Sequence, residues 1–67
     1  MKIFAERLKE LRIEKSLSQM ALSKATGISQ SAIKQWENEQ RTPNASAIVT
    51  LANFFGVTTD YLLGLEN

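Results

Sequence analysis

The chain contains no cysteine and no histidine. The first absence excludes a disulfide framework, a thiolate metal site and a thiol nucleophile. The second excludes a Ser-His catalytic relay and an imidazole ligand for zinc. Charge of one sign is also lacking. Eight Lys/Arg stand against seven Asp/Glu, a net +1, so no strong overall field draws an anionic partner. No stretch approaches the roughly 18 apolar residues of a membrane span. The opening string Met1-Lys2-Ile3-Phe4-Ala5-Glu6-Arg7 turns charged too soon for a signal-peptide core. A soluble, cytoplasmic domain with no membrane contact is the expectation. The length, 67 residues, sets one small domain as the ceiling. Such a chain buries only about 60% of its unfolded surface. With 43% hydrophobic and 22% charged residues, the balance is that of a globular protein rather than a disordered one.

What is present is helical periodicity. Phe4, Leu8 and Leu11 recur at three- and four-residue spacing over residues 2–15, the stripe of an amphipathic helix. Ser18 is placed to cap a second helix carrying Leu22 and Ala25 and stopping at Gly27. Ser29 caps a third, with Ile33 and Trp36 inside, ending near Asn38. Residues 39–43 form a polar loop, and Pro43 forbids helical continuation from upstream. Asn44 caps a fourth helix with Ile48, Leu51, Ala52 and Phe55 on one face, closed by Gly56. Thr58 caps a short fifth around Tyr61 and Leu62, with Asp60 in its first turn and Gly64 as a stop. No run alternates long enough for a strand. An all-α, five-helix fold follows.

The third helix carries the most information. With successive residues about 100° apart, Ser29, Ala32, Trp36 and Glu37 fall on the side of Ile33. Gln30, Ser31, Lys34, Gln35 and Asn38 fall on the other. That outward half is amide and hydroxyl with a single Lys, where an ordinary solvated face shows Glu/Lys pairs. Amides suit base edges, because Gln or Asn bonds adenine N6/N7 in two places and Lys suits guanine O6/N7. Taken alone the face remains compatible with a merely solvated one. Around it, Leu22, Ser23, Gly27, Ile28, Ile33 and Trp36 stand at the offsets of a helix-turn-helix.

At these residues the sequence resembles the Cro/repressor-type helix-turn-helix transcriptional regulators of phages and bacteria, also called the XRE family. The resemblance is carried by Phe4-Ala5-Glu6-Arg7-Leu8-Lys9-Glu10-Leu11-Arg12, Leu17-Ser18-Gln19, Thr26-Gly27-Ile28-Ser29-Gln30, Ile33-Lys34-Gln35-Trp36-Glu37-Asn38, Pro43 and Val57-Thr58-Thr59-Asp60-Tyr61-Leu62-Leu63-Gly64. It covers nearly the whole chain. It implies a lambda-repressor-like bundle and a single DNA-binding domain over residues 1–67, look-alikes of which often continue into a dimerisation or sensor domain. It implies that Gln30, Ser31, Lys34 and Gln35 face the major groove. Gln19 matches a residue that grips a phosphate at a helix N-terminus, and Asn38 and Arg41 match phosphate contacts. Arg12 and Glu37 match a partly buried ion pair between the first and third helices. Partners are then a double-stranded DNA operator and a second copy on DNA. Neither a cofactor nor a small-molecule ligand is expected.

Four residues depart from the family pattern. Ser23 stands where Ala is usual, so its hydroxyl must bond locally, to a carbonyl one turn back. Ser16 stands where Gly is frequent, at a cost of about 1–2 kcal/mol if left-handed. Glu39 and Gln40 occupy a loop that is often more basic. Ala45 replaces a larger apolar residue. Glu6, Glu10 and Glu14 line up at four-residue spacing, but Lys2, Arg7 and Lys9 among them make this a solvated face rather than a metal or acid/base site. A hydrolase finds no nucleophile, base and orienting group. The remaining alternative, a protein-interaction module such as an antitoxin or anti-repressor, would expose Leu, Met or aromatic side chains on the third helix. The cluster Leu62, Leu63 and Leu65 is open between internal packing and a subunit interface.

Overall fold

Four of the five helices begin at a side chain that accepts a hydrogen bond from the third residue on. Ser18 accepts from Ala21 N, Ser29 from Ala32 N, Asn44 from Ala47 N and Thr58 from Tyr61 N. Each satisfies a first-turn donor that the helix itself leaves free. The computed structural model describes residues 1–66. Its elements are α1 (Lys2–Glu14), α2 (Gln19–Thr26), α3 (Gln30–Glu37), α4 (Ala45–Phe55) and α5 (Thr59–Leu63), with no strand among the described residues. Among the described residues no helix is long and apolar enough to cross a membrane.

The core is built from one layer of each helix. Phe4, Leu8, Leu22, Ile33, Leu51 and Leu62 are fully buried. Each contributes about 1.5–3 kcal/mol by leaving water. Trp36 meets Phe4 edge to face, centroids 6.1 Å apart, which locks α3 onto α1. α1 also packs on α5, and α2 packs on α3 and α4. Leu11 is only half-buried, at the rim of this core. Ala25 is exposed, because α2 spans eight residues and turns only the Leu22 side inward.

Helix ends explain the turns. Gly27 is left-handed at φ 77° and donates to Ser23 O, so the chain reverses between α2 and α3 without a Cβ penalty. α1 and α3 end on left-handed residues that are not glycine, Ser16 at φ 57° and Glu39 at φ 60°. In both, the following amide reaches back around the last turn: Leu17 N to Arg12 O at 3.0 Å and Gln40 N to Gln35 O at 2.8 Å. Residues 39–43 read as a featureless polar loop, so the conformation of Glu39 is new. Ser16→Gly should raise the unfolding free energy by about 1 kcal/mol, since relief of the left-handed penalty exceeds the added unfolded-state entropy. A higher urea midpoint at unchanged slope checks it.

Candidate nucleic-acid interface

The inward side of α3, Ala32, Ile33 and Trp36, is buried, and that anchorage decides what the helix presents. Gln30, Ser31 and Lys34 are exposed and Gln35 is half-buried. Gln35 Nε2 donates to Ser31 Oγ at 3.2 Å, one turn back, so these two side chains form one unit on the surface. Asn38 and Arg41 are exposed beyond the end of α3. The outward face therefore carries amide, hydroxyl and one ammonium, and no Leu, Met or aromatic side chain.

Behind α3 lies the pair that orients it. Arg12 grips Glu37 in a fork, Nε to Oε2 at 2.8 Å and Nη2 to Oε1 at 2.9 Å. Their side chains are only 12% and 3% exposed. The third guanidinium nitrogen, Nη1, donates to Leu17 O at 2.8 Å, so Arg12 also holds the turn into α2. Hydrogen bonding to Glu37, helped by its charge, raises the Arg12 pKa above its ordinary value against the opposing effect of burial.

Gln19 belongs to this cluster. Its Nε2 donates to Glu37 Oε1 at 3.1 Å, tying the start of α2 to the end of α3. The family resemblance gives Gln19 a phosphate-gripping part. In the structure its carboxamide is already engaged from one side, leaving one N–H and the α2 N-terminus for an anion. No sequence signal pairs residues 19 and 37, since the contact exists only after α2 and α3 cross.

Ser23 departs from its expected bond. Its Oγ donates forward to Ile28 O at 2.5 Å, across the turn, rather than to a carbonyl one turn back. The reason is placement: Ser23 sits in the helix crossing, where the loop carbonyl of Ile28 has no helical partner. The backward bond is made instead by Thr26, whose Oγ1 donates to Leu22 O at 2.8 Å. The C-terminal leucines divide. Leu62 is core at 0% exposure, Leu63 is half-buried and Leu65 is 72% exposed. Arg7 binds Tyr61 O and, at 2.7 Å, Glu66 O, and its guanidinium lies 4.2 Å from the centre of the Tyr61 ring. Among the described residues no cluster of three acidic groups is placed to hold a metal ion.

A five-helix bundle whose α2 and α3 cross over a glycine turn, with a polar exposed face on α3, defines a helix-turn-helix domain. The chain belongs to the helix-turn-helix domain family, whose model matches residues 5–67. Its relatives are transcription regulators of the Cro/repressor type, a DNA-binding and non-enzymatic class. It is 38% identical over 94% of its length to the HTH-type transcriptional activator BcrR of Enterococcus faecalis. It is 34% identical over 91% to Repressor protein C2 of Salmonella phage P22 and 38% identical over 91% to the HTH-type transcriptional regulator AnsR of Bacillus subtilis. The chain spans 31%, 28% and 53% of those three proteins, respectively.

Proposed function

We propose that this chain reads double-stranded DNA in the major groove through the outward face of α3 and regulates transcription from an operator in the cytoplasm. The observation that carries this reading is the two-sided α3: one side locked into the core by Ile33 and Trp36, the other offering Gln30, Ser31, Lys34 and Gln35. Rigid presentation matters because a base contact discriminates only when the side chain's register on the duplex is set. Asn38, Arg41 and the α2 N-terminus with Gln19 supply phosphate contacts. The polar face gives no support to a protein-interaction module.

Repression by occupancy is the simpler outcome of such binding, and it accords with the phage relative named a repressor. The relative named an activator accords with the same reading unit placed beside a promoter. The test is selection of bound sequences from a random duplex pool, followed by titration of variants. Lys34→Ala and Gln35→Ala should change base preference with the fold intact, each lost base contact costing about 1–3 kcal/mol. Gln19→Ala and Arg41→Ala should weaken all duplexes alike, and Arg41→Ala should flatten the salt slope by about one unit. Unchanged preference in both α3 variants would overturn the reading.

We further propose that the domain occupies DNA as a two-fold dimer on an inverted repeat. Its longest dimension is 27 Å, shorter than the 34–36 Å of one duplex turn, so one copy engages one groove segment only. A few contacts with a net charge of +1 fall short of the ~10⁻⁸ M or tighter affinity of specific regulators. Because Leu62 is spent in the core, the contact surface falls to exposed Leu65 and to Ile3, which lies against Gly64.

A further inference from the structure

Gln30, Ser31, Lys34 and Gln35 share the outward side of α3, and among the described residues one pair of them is bonded together. Gln35 Nε2 donates to Ser31 Oγ at 3.2 Å. The two stand four residues apart, the spacing that brings side chains together on one helical face. Gln35 is half-buried, with Lys34 in solvent on one side of it and Trp36 in the core on the other. Its backbone is engaged as well, since Gln35 O accepts from Gln40 N at 2.8 Å where the chain leaves α3. Ser31 is exposed in the first turn of the helix. Its hydroxyl oxygen stands one bond beyond Cβ, whereas the polar atoms of the Gln35 carboxamide stand three bonds beyond theirs. The longer side chain therefore reaches further out from the helix.

A carboxamide turned over exchanges its acceptor for its donors, so its orientation decides what it can read. One Nε2–H of Gln35 is spent on Ser31. Oε1 and the second Nε2–H remain, an acceptor beside a donor. Adenine presents the complement in the major groove, an N6–H donor and an N7 acceptor. Guanine presents two acceptors, O6 and N7, and would set one of them against Oε1. We propose, resting on the DNA reading above, that Ser31 is a positioning residue: its hydroxyl holds the Gln35 carboxamide in the orientation that selects adenine and contacts no base itself. Fixing the amide beforehand removes part of the ordering cost of binding. It also works against the reversed amide, whose two outward N–H groups would suit guanine.

The test is a double-mutant cycle read at single-base resolution. Ser31→Ala, Gln35→Ala and the double variant are titrated against the selected duplex and against every single base-pair replacement within one half-site. Neither side chain belongs to the core, and alanine favours the helix, so all three variants keep the fold. We expect Gln35→Ala to erase a preference for adenine at one position, a loss of about 5–150-fold. Ser31→Ala should weaken the preference at that same position about 2–10-fold and leave the other positions unchanged. In the Gln35→Ala background, Ser31→Ala should change nothing. A preference lost at a different position, or losses that multiply in the double variant, would make Ser31 a direct reader and overturn the positioning role. So would a Ser31→Ala protein with wild-type preference, or guanine at the position that Gln35 governs. If a sequence is selected and Lys34→Ala alters it while Gln35→Ala does not, DNA reading stands and the Ser31–Gln35 assignment falls. If no sequence is selected at all, both fall.

Discussion

Arg12→Ala or Glu37→Ala alone should cost up to about 3–5 kcal/mol of stability, because each strands its partner's charge at a partly buried site where the two side chains are only 12% and 3% exposed. A domain of this length commands about 3–10 kcal/mol in total, so a large share of either variant should be unfolded at 25 °C. The two losses differ in detail. Without Arg12, the Leu17 carbonyl also loses its donor and the turn into α2 loosens. Without Glu37, Gln19 is released as well, and α2 and α3 lose their polar tie. Replacing both with apolar residues of similar volume, Arg12→Met with Glu37→Leu, should recover much of the loss, since no charge is then left buried. Urea unfolding followed by circular dichroism measures all of this. Single-variant costs below about 0.5 kcal/mol would reduce the pair to a surface contact.

Inserting five base pairs between the half-sites of the selected operator should lower affinity on the order of 100-fold or more. Half a turn of duplex carries the second half-site to the opposite face, and two linked reading units then lose their joint engagement. The wild-type operator should take two protein chains with half-sites about 10 base pairs apart. Stoichiometry and spacing must be read together, by titration against both duplexes. One-to-one binding indifferent to the insertion would show that a single copy does the reading. Leu65→Lys, at a position 72% exposed, should mimic the insertion without disturbing the core.

Helix starts were legible because capping is local: Ser18, Ser29, Asn44 and Thr58 each act on a backbone amide three residues away. The side of α3 that faces inward was legible for a similar reason, since a 3.6-residue period sorts Ile33 and Trp36 from Lys34 without knowledge of the neighbours. Ser16 was flagged from its place alone. Glu39 was not, because a left-handed charged residue leaves no compositional mark. Ser23 was misdirected, since its partner lies across a turn whose path is set by the crossing of α2 and α3.

The order and ends of the helices, most of the apolar set that forms the core, the lack of thiol and imidazole chemistry, and the polar outward face of α3 were determined by the sequence alone. These rest on short-range bonding, periodicity and composition, all readable within a few residues. Only the tertiary structure decided that Gln19 shares Glu37 with Arg12, that Arg7 clasps Tyr61 and the chain end, and that Leu62 is core while Leu65 is not. Each of these is a meeting of residues far apart along the chain. Their geometry depends on how the helices cross, and a one-dimensional pattern holds no distance across a crossing.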